Sequence, residues 1–168
     1  MDHPDHGAAA AAEHGLARSP HWPHVEKAFR KAHPHCVACA PDASDHAVQV
    51  HHRAPFHYVV ALGRPDLELD PRNLVSLCET EEGKPAEDHH LLIGHLGNFR
   101  AGNLEVLEDA ATTFHGMTAE AIRSDPRWLD KEKNGRIKPL DEMTDDEKAA
   151  FRVMLDVRFP LAVSSVAA

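Results

Sequence analysis

The sequence has only three cysteines, so they cannot all pair, and two of them stand in the spacing Cys36-Val-Ala-Cys39. That excludes a complete disulfide framework and points to thiolate ligation in a reducing, cytoplasmic compartment. Aromatic residues are scarce at 5%, although 42% of residues are apolar, enough for one modest core. No apolar run approaches the roughly 20 residues that a membrane span needs. The start, Met1 to Gly15, lacks a basic region and a hydrophobic stretch, so no signal peptide is expected. Positive charge is also in deficit: 18 lysines and arginines against 27 acidic residues leave a formal charge of −9. Affinity for a polyanion such as DNA must then come from a local basic face.

What the chain has in plenty is histidine, 15 residues, and proline, 12. A metal that ties irregular segments together suits such a chain. Charge is also unevenly spread. Arg18, Lys27, Arg30 and Lys31 make the segment before Cys36 basic, whereas acidic residues dominate between Arg64 and Asp88. Arg53, Arg64, Arg72 and Arg100 lie near the histidines in sequence and are candidates for phosphate contacts.

Residues 1–17 read as a disordered, low-complexity tail. Trp22-Pro23 opens a helix with Val25, Phe29 and Ala32 on one face, ended by Pro34. Val48 to His52 alternates like a strand, and Pro55 reads as a break. A turn over Leu67 to Asn73 leads into a second apolar strand, Leu74 to Cys78, and Glu79 to Asp88 reads as a loop. A short helix is expected from about His89, interrupted near Gly94. From about Gly102 the chain looks helical, with Ser124-Asp-Pro126 starting one helix that Asn134-Gly135 ends. A capping box at Thr144-Asp-Asp-Glu147 starts another, which carries the apolar stripe Phe151, Met154 and Leu155. No internal repeat is present.

Two ligand sets are interleaved along this pattern. Cys36, Cys39 and Cys78 supply three soft thiolates, which select zinc, and either His89 or His90 can complete a tetrahedron. The histidine set fits phosphodiester hydrolysis, which needs a base for the attacking water and a cation on the phosphate. On a strand, neighbouring side chains face opposite ways, so His51 can bind a divalent metal while His52 accepts a proton near neutral pH. Asn73 can bond backbone and hold the base strand, and His90 or His95 can complete the metal ligation. Five residues rotate by about 140° on a regular helix, so His90 and His95 would not share a face there. Either the helix starts after His90, or the two differ in job.

The stretches Val50-His51-His52-Arg-Ala-Pro, Glu68-Leu-Asp-Pro-Arg-Asn73-Leu-Val-Ser-Leu-Cys78 and His89-His90-Leu-Leu-Ile-Gly-His95 together resemble the HNH endonucleases, whose active unit is the ββα-metal finger. Cys36-x-x-Cys39 is similar to the zinc-bound members. The resemblance covers roughly Arg18 to Asn103. It implies that His51 is a metal ligand, His52 the general base, Asn73 the orienting asparagine and His90 the final motif histidine, with His95 joining the metal. Members with four zinc cysteines place the last directly before that final histidine, where this chain has His89, a competent substitute.

The expected architecture is therefore α+β: a ββα-metal core with a structural zinc knuckle, flanked by an N-terminal helix and C-terminal helices. Residues 18–104 would form the nuclease domain and residues 105–168 a helical extension packed on it. The expected activity is DNA cleavage of a nicking or restriction type, with Zn²⁺ at Cys36, Cys39, Cys78 and His89. Mg²⁺ or Mn²⁺ is expected at His51, His90 and His95. RNA is a further possible substrate. The alternatives are a non-catalytic zinc module that binds nucleic acid or protein, and a histidine-rich metal buffer.

Overall fold

A computed structural model describes residues 16–43, 45–83 and 86–162 of the chain. The tail expected over residues 1–17 lies outside the described residues except for its last two positions. The architecture is α+β, with short helices around one two-stranded antiparallel sheet. Strand β1, Val48–His52, pairs with β2, Leu74–Cys78, in a register that sets His52 opposite Leu74, His51 opposite Val75 and Val48 opposite Cys78. The hairpin thus carries histidines at one end and a cysteine at the other. Five residues separate those ends by roughly 13 Å.

Helix α1, Trp22–Ala32, lies against this hairpin and is pinned at both ends. Its first residue, Trp22, is buried with its ring 4.5 Å from that of His52. At the other end the Ser76 hydroxyl donates to the His33 carbonyl at 2.7 Å. Arg30 and Lys31 occupy its last turn, where the helix dipole favours positive charge.

Pro55, expected to break the regular structure, instead caps a further helix, α2, Phe56–Ala61. The missing proline N–H is harmless at a helix start, which explains the difference. Two 3₁₀ turns, Pro65–Glu68 and Pro71–Asn73, fill the connection to β2. After the acidic loop comes a single π-helical turn, His90–Gly94.

The remainder is helical. It comprises α3, Val106–Glu108, running into a π turn over Asp109–Thr113, then α4, Ala119–Ser124, and α5, Pro126–Asn134. Helix α6, Asp145–Arg158, comes last, with both halves of its Thr144–Glu147 capping box formed. Two buried clusters hold the chain together. One joins the cysteines, Val75, Leu77, Leu92, Ile93 and Leu96 to Phe114, Ile122 and Trp128. The other joins Ala54, Tyr58, Val59 and Leu67 to Leu140, Phe151, Leu155 and Phe159. Each draws on residues from both sides of position 104. Among the described residues, no helix is long and apolar enough to cross a membrane.

Arg64, read from the sequence as a candidate phosphate contact, is instead part of the interior. It is 1% exposed, and its guanidinium donates to Asp66, Asp156 and the Phe159 carbonyl at 2.8–2.9 Å. Hydrogen bonding to Asp66 raises its pKa further. A buried guanidinium with carboxylate partners fixes the end of α6 to the segment after α2, leaving no donor for an outside phosphate.

Candidate metal centres

Cys36 and Cys39 come from the loop after α1, Cys78 from the end of β2, and His89 from the residue before the π turn. All four are buried and offer ligand atoms within 4.8 Å of one another. His89 Nδ1 lies 3.5 Å from Cys36 Sγ, 3.5 Å from Cys39 Sγ and 3.3 Å from Cys78 Sγ, and Cys39 and Cys78 Sγ are 3.7 Å apart. Zinc bond lengths in a tetrahedron give S···N of about 3.6 Å and S···S of about 3.8 Å, so the donors stand at zinc spacing. A disulfide needs about 2.05 Å, so these thiols are unpaired.

His89 Nε2 donates to the Met117 carbonyl at 2.8 Å, which leaves Nδ1 as the basic nitrogen turned to the sulfurs. The hydrogen bonds of Cys39 and Cys78 hold the Cys36 thiol far below its ordinary range, while the contact with Cys36 pushes Cys39 up. The cluster therefore already favours a thiolate. This buried group of three cysteines and one histidine can bind a metal such as zinc. His46, whose Nδ1 is 3.2 Å from Cys39 Sγ, adds an outer contact that the sequence did not suggest.

The second group is His51, His90 and His95, again with ligand atoms within 4.8 Å. His90 Nδ1 bonds Glu79 Oε2 at 3.1 Å and His95 Nδ1 donates to the Ala101 carbonyl at 2.8 Å. Both rings therefore turn Nε2 to the centre, and those two atoms are only 3.2 Å apart. His51 adds a third: its Nε2 is buried and makes no hydrogen bond. Burial, followed by the neighbouring His95 and His90, lowers the His51 pKa well below its ordinary value, so the ring is neutral. Three imidazoles converging on one point suit a cation.

The π turn resolves the difficulty that a regular helix poses for His90 and His95. The His95 amide bonds the His90 carbonyl at 3.2 Å, an i to i+5 bond, so residues five apart stack on one face. This widening leaves carbonyls without helical donors, and side chains from the following part of the chain supply them. Trp128 Nε1 donates to Leu92 O, Asn103 Nδ2 to Ile93 O and Arg136 Nη2 to Leu96 O, at 2.7, 3.0 and 2.7 Å. Asn103 is buried and bonds Asp109, which Lys131 in turn neutralises. Two non-glycine residues with positive φ, Asp88 at 51° and Leu96 at 47°, bracket the segment. Each costs on the order of 1–2 kcal/mol, strain of the kind that collects at functional sites.

Gly94 is needed for a different reason: a Cβ there would stand 3.0 Å from His51 Cε1. The backbone must come that close for the π turn to meet β1.

His52 faces away from this centre. Its Nε2 donates to the Glu68 carbonyl at 2.8 Å, which makes Nδ1 the basic nitrogen. Asn73, fully buried, accepts from the Ala54 amide at 2.7 Å and donates to the carbonyls of Ala54 and Leu67 at 3.0 Å. One amide therefore ties the end of β1 to the turn whose next carbonyl holds His52. No protein-family profile, curated protein or solved structure matches this chain.

The seven sequence candidates for metal ligation fall into these two groups, with His89 in the cysteine set. Glu79, Asn103, Trp128 and Arg136 are supporting residues that sequence reasoning missed. A carboxylate just after the cysteine strand was the one available signal for Glu79. The others act from 10 to 40 residues away, through backbone carbonyls that leave no trace in the sequence.

Proposed function

We propose that this chain is a metal-dependent endonuclease of the HNH kind, with a ββα-metal core that hydrolyses DNA phosphodiester bonds in a nicking or restriction manner. The observation that carries this reading is the division of labour at His51-His52. One ring turns an unpartnered buried Nε2 toward two other imidazoles, while the next ring is fixed by a carbonyl with its basic nitrogen elsewhere.

In this reading His52 Nδ1 removes the proton from the attacking water, and the Glu68 carbonyl stabilises the imidazolium that forms through the Nε2–H bond. Asn73 holds the strand and that carbonyl in one geometry. His51, His90 and His95 would hold a divalent cation, which would supply positive charge to the scissile phosphate and the leaving 3′ oxygen. An all-imidazole donor set suits a zinc-like transition cation better than Mg²⁺, which prefers oxygen ligands. Cys36, Cys39, Cys78 and His89 would hold a zinc that fixes the scaffold.

The test is nicking of supercoiled plasmid by purified protein with Zn²⁺, Mn²⁺, Mg²⁺ or EDTA, beside His52→Ala at matched zinc content. Metal-dependent nicking that disappears in the variant is the expected result. Nicking that persists in the variant removes His52 as the base, and no nicking by either protein rejects the nuclease. The −9 charge favours a second reading, a zinc-held interaction module without catalysis. That module needs the cysteines and tolerates His52→Ala.

A further inference from the structure

The basic segment before Cys36 is a charged feature of the sequence that neither centre uses. Most other basic side chains are neutralised within the chain: Arg72 by Asp70, Arg127 by Asp125, Lys131 by Asp109, Lys138 by Glu147 and Arg152 by Asp156. On α1 the arrangement differs. Glu26 pairs with Arg30, while Lys27 and Lys31, both exposed, make no ion pair among the described residues. They stand at i and i+4 on one face, with His24 one turn before them, and no acidic residue occupies the exposed positions of this helix. Pro23, Glu26, Lys27, Arg30 and Lys31 line a shallow groove there.

We propose that the exposed face of α1 is where duplex DNA lays its phosphate backbone. This rests on the nuclease reading and names the surface that reading lacks. Trp22, the first residue of α1, is packed against His52, which sets the helix beside the histidine strand. Lys27 and Lys31 lie five and nine residues further on, about 7.5 and 13.5 Å along the helix axis and turned by about 140° and 180° from Trp22, on the outer face of the helix. A chain this acidic repels DNA over most of its surface, and exposed lysines without acidic partners mark where attraction is available. Lysine on a phosphate acts as a point charge without base preference, so the contact positions the duplex and leaves its sequence unread.

The measurement is fluorescence anisotropy of a labelled 20-base-pair duplex, without added divalent cation, from 50 to 200 mM KCl. It compares the wild-type protein with Lys27→Glu/Lys31→Glu, and circular dichroism and zinc content verify that the variant is folded. Loss of two phosphate contacts should weaken binding about tenfold or more at the lower salt and reduce the slope of log affinity against log salt by about 2. Binding and slope unchanged in a folded variant overturn the proposal, as does wild-type binding to phosphatidylserine vesicles in place of duplex DNA. The two readings fail separately. Plasmid nicking without dependence on these lysines rejects the α1 surface alone, whereas lysine-dependent DNA binding without nicking rejects the nuclease alone.

Discussion

His89 and His90 are neighbours in the chain, yet one turns to three sulfurs and the other to two imidazoles. The cysteine group presents four donors, each buried, and its histidine is locked by the Met117 carbonyl. The imidazole group presents three donors, and His95 is only half-buried. Four protein donors close a tetrahedron and leave nothing for a substrate, the pattern of a structural site. Three leave a position for water or phosphate, the pattern of a catalytic one. Because a single peptide bond joins the groups, the closed centre can hold the open one in place, and damage should pass from the first to the second but not in reverse.

The strongest test of that asymmetry removes a sulfur. Cys36→Ser or Cys78→Ser should abolish the cooperative thermal transition and the stoichiometric zinc, because structural-zinc binding of about 10 kcal/mol or more is coupled to folding. That is as large as the roughly 5–15 kcal/mol stability of an ordinary domain. A melting temperature unchanged by either substitution would sink the structural role. By contrast, His51→Ala should leave zinc in the cysteine group and the thermal transition in place, and lose only the cation of the imidazole group.

Next in size is His52→Ala, which should lower plasmid nicking by about 10²–10⁴-fold, the usual contribution of a general base. Zinc content should stay at the wild-type level. The His52 ring packs against Trp22, so melting should be measured in parallel. If the variant loses zinc together with activity, the two centres are not separable at this residue and the comparison breaks.

Gly94→Ala probes the close approach of the π turn to β1. The added methyl meets the His51 ring at 3.0–3.2 Å, so ring or turn must give way. Overpacking of this kind costs typically about 1–3 kcal/mol. The expected outcome is weaker cobalt binding at the imidazole group, read from the visible spectrum, with the sulfur-to-cobalt bands of the cysteine group unchanged. Wild-type cobalt affinity at both groups would show that the turn has slack.

How far these centres were legible in the sequence depends on the kind of contact involved. Cys36, Cys39 and Cys78 with a nearby histidine pair declare a ligand set by type and spacing, and β1 and β2 emerge from alternation and apolar runs. The face shared by His90 and His95 was hidden, because sequence periodicity assumes a regular helix and nothing in His90-Leu-Leu-Ile-Gly94 announces an i to i+5 turn. What makes that turn affordable is supplied by Asn103, Trp128 and Arg136, whose acceptors are main-chain carbonyls. The fate of Arg64 was hidden for a related reason: a charged residue reads as surface until the fold brings Asp66 and Asp156 to it.

The smallest and most selective test concerns Glu79. Its carboxylate holds His90 by Nδ1 at 3.1 Å and so directs Nε2 to the centre. Outer partners of this kind typically contribute about 10–100-fold to metal affinity. Glu79→Ala removes the acceptor altogether and should fall in that range at the imidazole group. Glu79→Gln keeps an oxygen that accepts the same hydrogen bond but removes the negative charge, so about tenfold, or 1.4 kcal/mol, is expected. If Gln behaves as wild type while Ala does not, Glu79 acts by orienting the ring. Equal losses in both make its charge the operative feature. The cysteine group is the internal control: Glu79 acts on His90 and not on His89, so zinc there should be retained in both variants, and its loss would mean that the residue supports the fold as a whole.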